Sequence, residues 1–189
     1  MTGRRLWWTI RLLMKRGGVA RANYARKAGI YAKMGENVMI QSRIVPIYSE
    51  LISFHNNISV ARNVDFVTHD VMHRVFNRLK GEKKNNFEER IGCIEIMDNV
   101  FIGSNSVILY DTRIGPNVII ASGSVVTKNC EPNSVYAGVP ARKIGDFDQF
   151  IEKLKKKEQE TKIATTSHNQ FLTQEEIKCA WNIFEKNHL

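Results

Sequence analysis

The chain has little of what usually fixes a protein's class. It holds three cysteines in 189 residues, an odd number that argues against a disulfide framework and for a reducing compartment. Nothing in it approaches the ~20 consecutive apolar residues needed to span a bilayer. The apolar stretch 6–14 is short and interrupted by Arg11. It also makes a poor secretory leader, because Lys15 and Arg16 follow it directly and Ala20-Arg21-Ala22 is basic inside. Acidic residues are absent from 1–33, which carry nine Lys or Arg, while the rest of the chain carries nineteen residues of each sign. The net charge of +9 therefore belongs to the N-terminal segment. No groove-reading motif accompanies it, so nucleic acid is not an expected partner. Over most of the chain the apolar periods of a helix and of a flat strand are missing too.

A period of six stands in their place. From Ile96 to Glu131 six hexads follow one another. Ile96, Ile102, Ile108, Ile114, Ile120 and Val126 hold the first place. Val100, Ser106, Thr112, Val118, Ser124 and Cys130 hold the fifth. Asn99, Asn105, Asp111, Asn117, Gly123 and Asn129 hold the fourth. Asn, Asp and Gly accept the left-handed backbone angles of tight corners, so the pattern predicts short strands joined by regular corners: a parallel β-helix of hexapeptides. Cys130, in an inward place, reads as a small buried thiol.

Weaker hexads extend upstream, pairing Met34 with Val38 and Ile40 with Ile44. Two extra residues intrude around Pro46, and the new frame runs Tyr48/Ile52, Phe54/Ile58, Val60/Val64 and Phe66. Residues 71–90 then break the pattern as a loop directly after Thr68-His69-Asp70, a position that favours function. The expected organisation is a basic amphipathic helical segment over 1–33, an all-β catalytic coil over 34–145 and a helical extension over 146–189. That extension comprises a helix at 148–160, a polar linker at 161–169 and a last helix opened by the capping-box pattern Thr173-Gln174-Glu175-Glu176. In the first segment Leu6, Ile10, Leu13 and Met14 share one helical face beside Arg4, Arg11 and Lys15. Two roles stay open for it. It caps the open end of the coil, or residues 1–22 lie on an anionic membrane surface, each cation near lipid contributing about 1 kcal/mol.

Three hexads to a triangular turn would stack residues eighteen apart. Phe101 then lies under Ile119, Val107 under Val125 and Arg113 under Glu131, which makes two outer faces apolar and one charged. Packing around a three-fold axis would cover the two apolar faces, so a homotrimer is expected. The same spacing sets Ser104 and Ser122 in one column beside Gly103 and Ala121, a shallow trough for an extended ligand.

The segments Asn99-Val100-Phe101-Ile102-Gly103-Ser104, Ile120-Ala121-Ser122-Gly123-Ser124-Val125-Val126-Thr127-Lys128 and Tyr136-Ala137-Gly138-Val139-Pro140-Ala141-Arg142-Lys143-Ile144 resemble the hexapeptide-repeat acetyltransferases. Within them the likeness is to the galactoside, xenobiotic and surface-polysaccharide O-acetyltransferases, and it covers about residues 23–145. The resemblance implies a left-handed β-helix, a trimer, and acetyl-CoA lying between subunits with no metal. It implies that Ser104 and Ser122 contact the pantetheine arm and that Thr127, Lys128, Arg142 and Lys143 face the nucleotide. Phe101 stands where relatives have Trp near the acceptor, and His73 is a second substrate-side candidate. His69, before the long loop, is the expected general base: with a pKa near 6.5 an imidazole can take a proton from a sugar hydroxyl at neutral pH. Asp70 is the candidate to orient it.

The expected activity is acetyl-CoA-dependent O-acetylation of a sugar hydroxyl, in a surface polysaccharide or its precursor, in the cytoplasm or at the inner face of its membrane. N-acetylation of an amino sugar is the nearest enzymatic alternative. Rivals of another class are a non-catalytic trimeric scaffold and a γ-carbonic-anhydrase-like zinc protein, although His55, His69 and His73 are not spaced as that family's ligands.

Overall fold

The computed structural model describes residues 3–79, 86–161 and 171–188. Its first compact unit, residues 1–147, is a left-handed parallel β-helix whose three faces are three sheets. One sheet stacks β1 (Lys33–Met34), β3 (Ile52–Phe54), β6 (Ile94–Ile96) and β9 (Thr112–Ile114). A second stacks β2 (Val38–Ile40), β4 (Ile58–Val60), β7 (Val100–Ile102), β10 (Val118–Ile120) and β12 (Ser134–Ala137), closed by antiparallel β13 (Arg142–Asp146). The third stacks β5 (Asp65–Val67), β8 (Val107–Leu109) and β11 (Val125–Val126).

Strands of two to five residues are stable here because all but those that end each sheet are paired above and below, so stability is shared along the axis. Side chains alternate in and out, and the registers build continuous internal columns. Phe54, Ile96 and Ile114 form one, Val60, Ile102 and Ile120 another, and Phe66, Ile108 and Val126 a third. These residues are buried in one cluster, where truncation of an Ile to Ala costs about 2–5 kcal/mol. The corners carry the left-handed angles expected at Asn99, Asn105, Asp111, Asn117 and Gly123, and also at Asn37, Asn57, Asn63 and Asn133. Along one corner Asn37, Asn57, Asn99, Asn117 and Asn133 form a ladder, each amide donating to the next carbonyl oxygen at 2.7–2.8 Å.

The turns are not of equal length. Val38 pairs with Ile58, twenty residues on, which accommodates the two residues that intrude near Pro46. Ile58 pairs with Val100 across the long loop, forty-two residues on, so the hexad frame is kept. Val100 pairs with Val118 at the regular eighteen. The last turn is two residues short, because Val118 pairs with Ser134 and Ile114 with Cys130.

That shortening corrects three expectations. Asn129 is not a left-handed corner; its Oδ1 instead accepts the Arg113 N–H at 2.8 Å. Arg113 is not stacked on Glu131, and its guanidinium pairs with Glu95 at 2.6 Å on the turn below. Cys130 is inward as expected, but it lies opposite Ile114, in the first place of a hexad and not the fifth. It is buried, and burial pushes its thiol up to about 12. A fourth correction concerns Tyr48, which is not an inward residue but a left-handed corner at φ 49° with its side chain partly exposed.

Two helices precede the coil in the same unit: α1 (Gly3–Leu13) and α2 (Gly18–Lys27). α2 lies against β2, where a Cβ on Gly18 would meet Met39 Cγ at 2.5 Å. Its Ala22 joins the coil's own core and its Arg21 Nε donates to the Ile40 carbonyl at 3.0 Å. The cap is therefore α2. α1 rests through Leu12 and Trp8 on a second cluster with Ala25, Ile30 and Val45, and it leaves Leu6, Trp7, Ile10, Leu13 and Met14 exposed.

The second unit begins at Asp148. It holds most of α4 (Phe147–Thr161), and α5 (Gln174–Lys186), which opens with the expected capping box between Thr173 and Glu176. The linker expected at 161–169 lies, beyond Thr161, outside the described residues. Among the described residues no helix is long and apolar enough to cross a membrane.

Candidate active site

The irregular first turn leaves β5 as the terminal strand of its sheet. Below it, where a complete turn would place another strand, residues 41–47 swing away. The gap is a cleft of about 810 Å³ lined by the 41–47 segment, by residues 62–67, by Arg5 of α1 and, at one end, by His69.

His69 is not the left-handed corner its hexad place suggested. At Thr68 the chain leaves the coil, and residues 68–70 run antiparallel to 90–92. His69 bridges Ile91, Asp70 N donates to the Arg90 carbonyl at 2.9 Å and Gly92 N to the Thr68 carbonyl at 2.9 Å. The loop thus returns to its point of departure and clamps the histidine from both sides in sequence. Within it, α3 (His73–Phe76) is tied to the returning strand through Asn77, whose side-chain amide both donates to and accepts from the Phe87 backbone at 2.8 Å.

The imidazole of His69 packs edge-to-face on Tyr48, with ring centroids 5.3 Å apart. Its Nδ1 is buried and without a hydrogen-bond partner. Asp70 does not supply one. Its Oδ1 accepts from Met72 N at 3.1 Å and its Oδ2 from the Tyr110 hydroxyl at 2.6 Å. The Tyr110 bond is the main reason the Asp70 carboxyl sits below the usual aspartate range, and the same bond raises the Tyr110 phenol. Asp70 therefore fastens the loop to the coil. His73, on α3, likewise has a buried Nδ1 with no partner.

Tyr48 is a residue that sequence reasoning misplaced. Its ring holds His69, and its hydroxyl reaches Glu89 of the returning strand at 3.3 Å, a carboxylate that raises the phenol's pKa. A bulky residue at positive φ is a strained choice. The only signal was an aromatic shortly after the Pro46 irregularity, and the hexad frame assigned it to the core.

The column of Ser104 and Ser122, where a trough was expected, stands at a different corner from His69. Ser104 and Ser122 are both accessible there, but Gly103 is buried, and a Cβ on it would lie 2.5 Å from Ser122 N. Gly103 is small so that successive turns can meet. Toward the C-terminal end Thr127, Lys128 and Arg142 are exposed or partly so. The Arg142 guanidinium reaches only the neighbouring Ala141 carbonyl, at 3.0 Å. Lys143 pairs with Glu131 at 3.3 Å, an exposed pair of little strength. Thr127, Lys128 and Arg142 leave cationic and hydroxyl donors uncommitted, which suits a phosphate-bearing ligand. Phe101 is outward on β7 and 43% exposed, beside Ile119.

No group of three or more His, Cys, Asp or Glu among the described residues is placed to hold a metal. His55 is engaged with Glu95 at 2.9 Å on the first sheet and does not converge with His69.

A family model for the bacterial transferase hexapeptide (six repeats) matches residues 94–128. The chain is 31% identical to galactoside O-acetyltransferase of Escherichia coli (strain K12) over 119 residues, 63% of this chain and 59% of that protein. The match thus spans less than two thirds of that relative's length. The chain is 26% identical to a putative acetyltransferase of Bacillus subtilis (strain 168), over 71% of this chain and 72% of that one. Among solved structures, a maltose O-acetyltransferase from Clostridium difficile 630 superposes with a TM-score of 0.54 at 24% identity, over 76% of this chain and 84% of that one. A galactoside acetyltransferase in complex with coenzyme A superposes at 0.51 and 23% identity, over 90% and 86%.

Proposed function

We propose that this chain is a member of the hexapeptide-repeat acetyltransferase family and an acetyl-CoA-dependent O-acetyltransferase acting on a sugar hydroxyl. The observation that carries the reading is His69 at the end of the cleft along β5, on a loop clamped at both ends. With Nδ1 buried, Nε2 is the nitrogen left to meet a substrate. It takes the proton as the hydroxyl oxygen attacks the thioester carbonyl, and backbone N–H groups stabilise the oxyanion. Collapse of the tetrahedral intermediate expels the thiolate of coenzyme A, which recovers the proton from the imidazole. No acyl-enzyme is formed.

Within one subunit His69 and the Ser104/Ser122 trough lie at different corners. A trimer would bring the trough of one subunit to the histidine of its neighbour. The column of Phe101 and Ile119, and that of Val107 and Val125, are the apolar faces such an assembly would cover. Acetyl-CoA would then lie between subunits, with Thr127, Lys128 and Arg142 toward its phosphates.

His69→Ala should lower turnover by about 10²- to 10⁴-fold, the usual worth of a general base, while acetyl-CoA still binds. Retained turnover would remove His69 from this role.

The exposed face of α1 supports a membrane-proximal acceptor. Leu6, Trp7, Ile10, Leu13 and Met14 are outward, amid Arg4, Arg11 and Arg16, which is the make-up of a helix that lies on anionic lipid. Trp7→Gln with Ile10→Gln leaves the buried Leu12 in place and should abolish flotation with anionic vesicles. Equal recovery of the native chain with neutral and anionic vesicles would reject the contact.

A further inference from the structure

The cleft that ends at His69 has arginines around the rest of its wall, and transfer of an acetyl group to a neutral sugar gives them no task. Arg5 enters from α1, Arg43 from the segment below β5, and Arg62 from the corner that precedes β5. Asp65 is the single carboxylate among the lining residues. Arg5 is partly committed, since its Nε donates to the Val45 carbonyl at 2.8 Å. The guanidinium groups of Arg43 and Arg62 join no ion pair among the described residues.

Arg21 is buried behind the start of this segment, its Nε on the Ile40 carbonyl of β2 and its Nη1 on the Lys15 carbonyl, both at 3.0 Å. Its pKa is lowered first by burial and then by repulsion from Arg43. Like charges gathered at a concave wall repel one another, although at the exposed Arg43 and Arg62 water and salt screen part of that repulsion. An arrangement of this kind is relieved by a bound anion. The planar guanidinium matches carboxylate and phosphate with paired N–H donors, whereas a neutral sugar calls for mixed donors and acceptors. The cleft's size also suits a ligand, being within the ~300–1,000 Å³ of ordinary binding sites.

Resting on the acetyl-transfer reading above, we infer that the acceptor is an anionic saccharide, whose reacting hydroxyl lies at His69 and whose carboxylate or phosphate is held by Arg43 and Arg62. Seven residues separate Arg62 from His69, at most about 23 Å of extended chain. One saccharide could therefore reach from the guanidinium groups to the histidine.

The test compares oligosaccharides of one length that differ in charge: maltotetraose, tetragalacturonate and maltotetraose 1-phosphate. Binding to the full chain is measured by calorimetry at low and high salt, with acetyl transfer followed in parallel. At least one anionic oligosaccharide should bind about tenfold or more tightly than the neutral one. That advantage should shrink as salt screens the site, and which anion gains it identifies carboxylate or phosphate. Arg43→Gln and Arg62→Gln should each remove most of the advantage while leaving neutral-sugar and acetyl-CoA binding unchanged. Equal binding of all three, absence of binding by any, or a preference that survives in both variants would overturn the anion site. Anion-selective binding without acetyl transfer to any acceptor would instead overturn the acetyl-transfer reading and leave the anion site standing.

Discussion

Asn99 separates the two physical roles that an asparagine plays at a corner of this coil. Its backbone is left-handed at φ 59°. Its side chain accepts from Asn57 at 2.7 Å and donates to Asn117 at 2.8 Å. The residue is exposed, so no core packing confuses the comparison. Its backbone bonds, from its own N–H to the Asn56 carbonyl and from Val118 N–H to its carbonyl, survive any substitution. Asn99→Ala loses both ladder bonds, about 0.5 kcal/mol each for exposed groups, and forces a Cβ into the left-handed region at about 1–2 kcal/mol. The sum is about 2–3 kcal/mol. Asn99→Gly loses the same bonds without the steric cost but gives up more chain entropy on folding, about 0.4–1 kcal/mol. Asn99→Asp keeps the tolerance for the corner and the accepting oxygen and loses only the donor. At about 2–4 °C per kcal/mol for a chain of this size, the alanine variant should melt about 5–10 °C low, glycine less so and aspartate least. The assay is thermal unfolding at one fixed protein concentration, since self-association would move the midpoint. Glycine melting as low as alanine would refute the assignment of most of the cost to the backbone corner.

Gly103→Ala places a Cβ 2.5 Å from Ser122 N and 2.8 Å from Ser122 Cα, so the two turns must part. Calorimetry should show a loss of about 1–3 kcal/mol together with weaker coenzyme A binding. A thiol reagent should modify Cys93 and Cys179, which are exposed, and spare Cys130 until the chain unfolds; burial keeps the Cys130 thiol protonated well above neutral pH. Because the Tyr110 hydroxyl lowers the Asp70 carboxyl, their bond stabilises the fold above the ordinary aspartate range near 3.8 and loses its effect as pH falls through the lower folded value. Tyr110→Phe should therefore melt below the native chain at pH 7, with the gap closing in acid scans below about pH 3.8. A gap that widens there would contradict the sign.

The sequence revealed the coil where chemistry and period agree. Asn99, Asn105, Asp111, Asn117 and Gly123 each combine a corner-forming residue with an isoleucine or valine three places on, so every side of the turn is specified twice. It misled where two placements satisfy the same pattern. Asn129 has the right residue type and the right spacing, yet the chain takes its final corner at Asn133 and seats Cys130 opposite Ile114. A small thiol fills an inward place on either frame, so hydrophobic order alone could not locate a two-residue deficit. Tyr48 failed in the opposite sense, since nothing in its chemistry predicts a left-handed aromatic and only its contact with His69 gives it a reason. The Asp70 contact was out of reach as well. Tyr110 lies forty residues away, and no local period links a loop residue to the end of a strand in the next turn.

The departures from the repeat lie where the proposed chemistry lies. A regular turn saturates its own backbone: every strand is paired above and below, every inward side chain is covered, and the outside is a flat pleated face. Such a surface can stack with copies of itself but offers only shallow concavities. Adding two residues to the first turn leaves β5 unpaired on one edge and opens the cleft beside it. Adding twenty-four to the next lets the chain leave at Thr68 and return at Gly92, so that His69 is held from both sides without being part of the ladder. Neither insertion disturbs the hexads of the later turns, and the core columns run on unbroken past them. A site can therefore be remodelled in length or charge at 41–47 or 71–90 with little effect on the stack above. On this view Arg43 of the first turn and Arg62 and His69 of the second lie outside the ladder, so His69→Ala should melt with the native chain and Arg43→Gln, which removes a charge that repels Arg21, no lower than it.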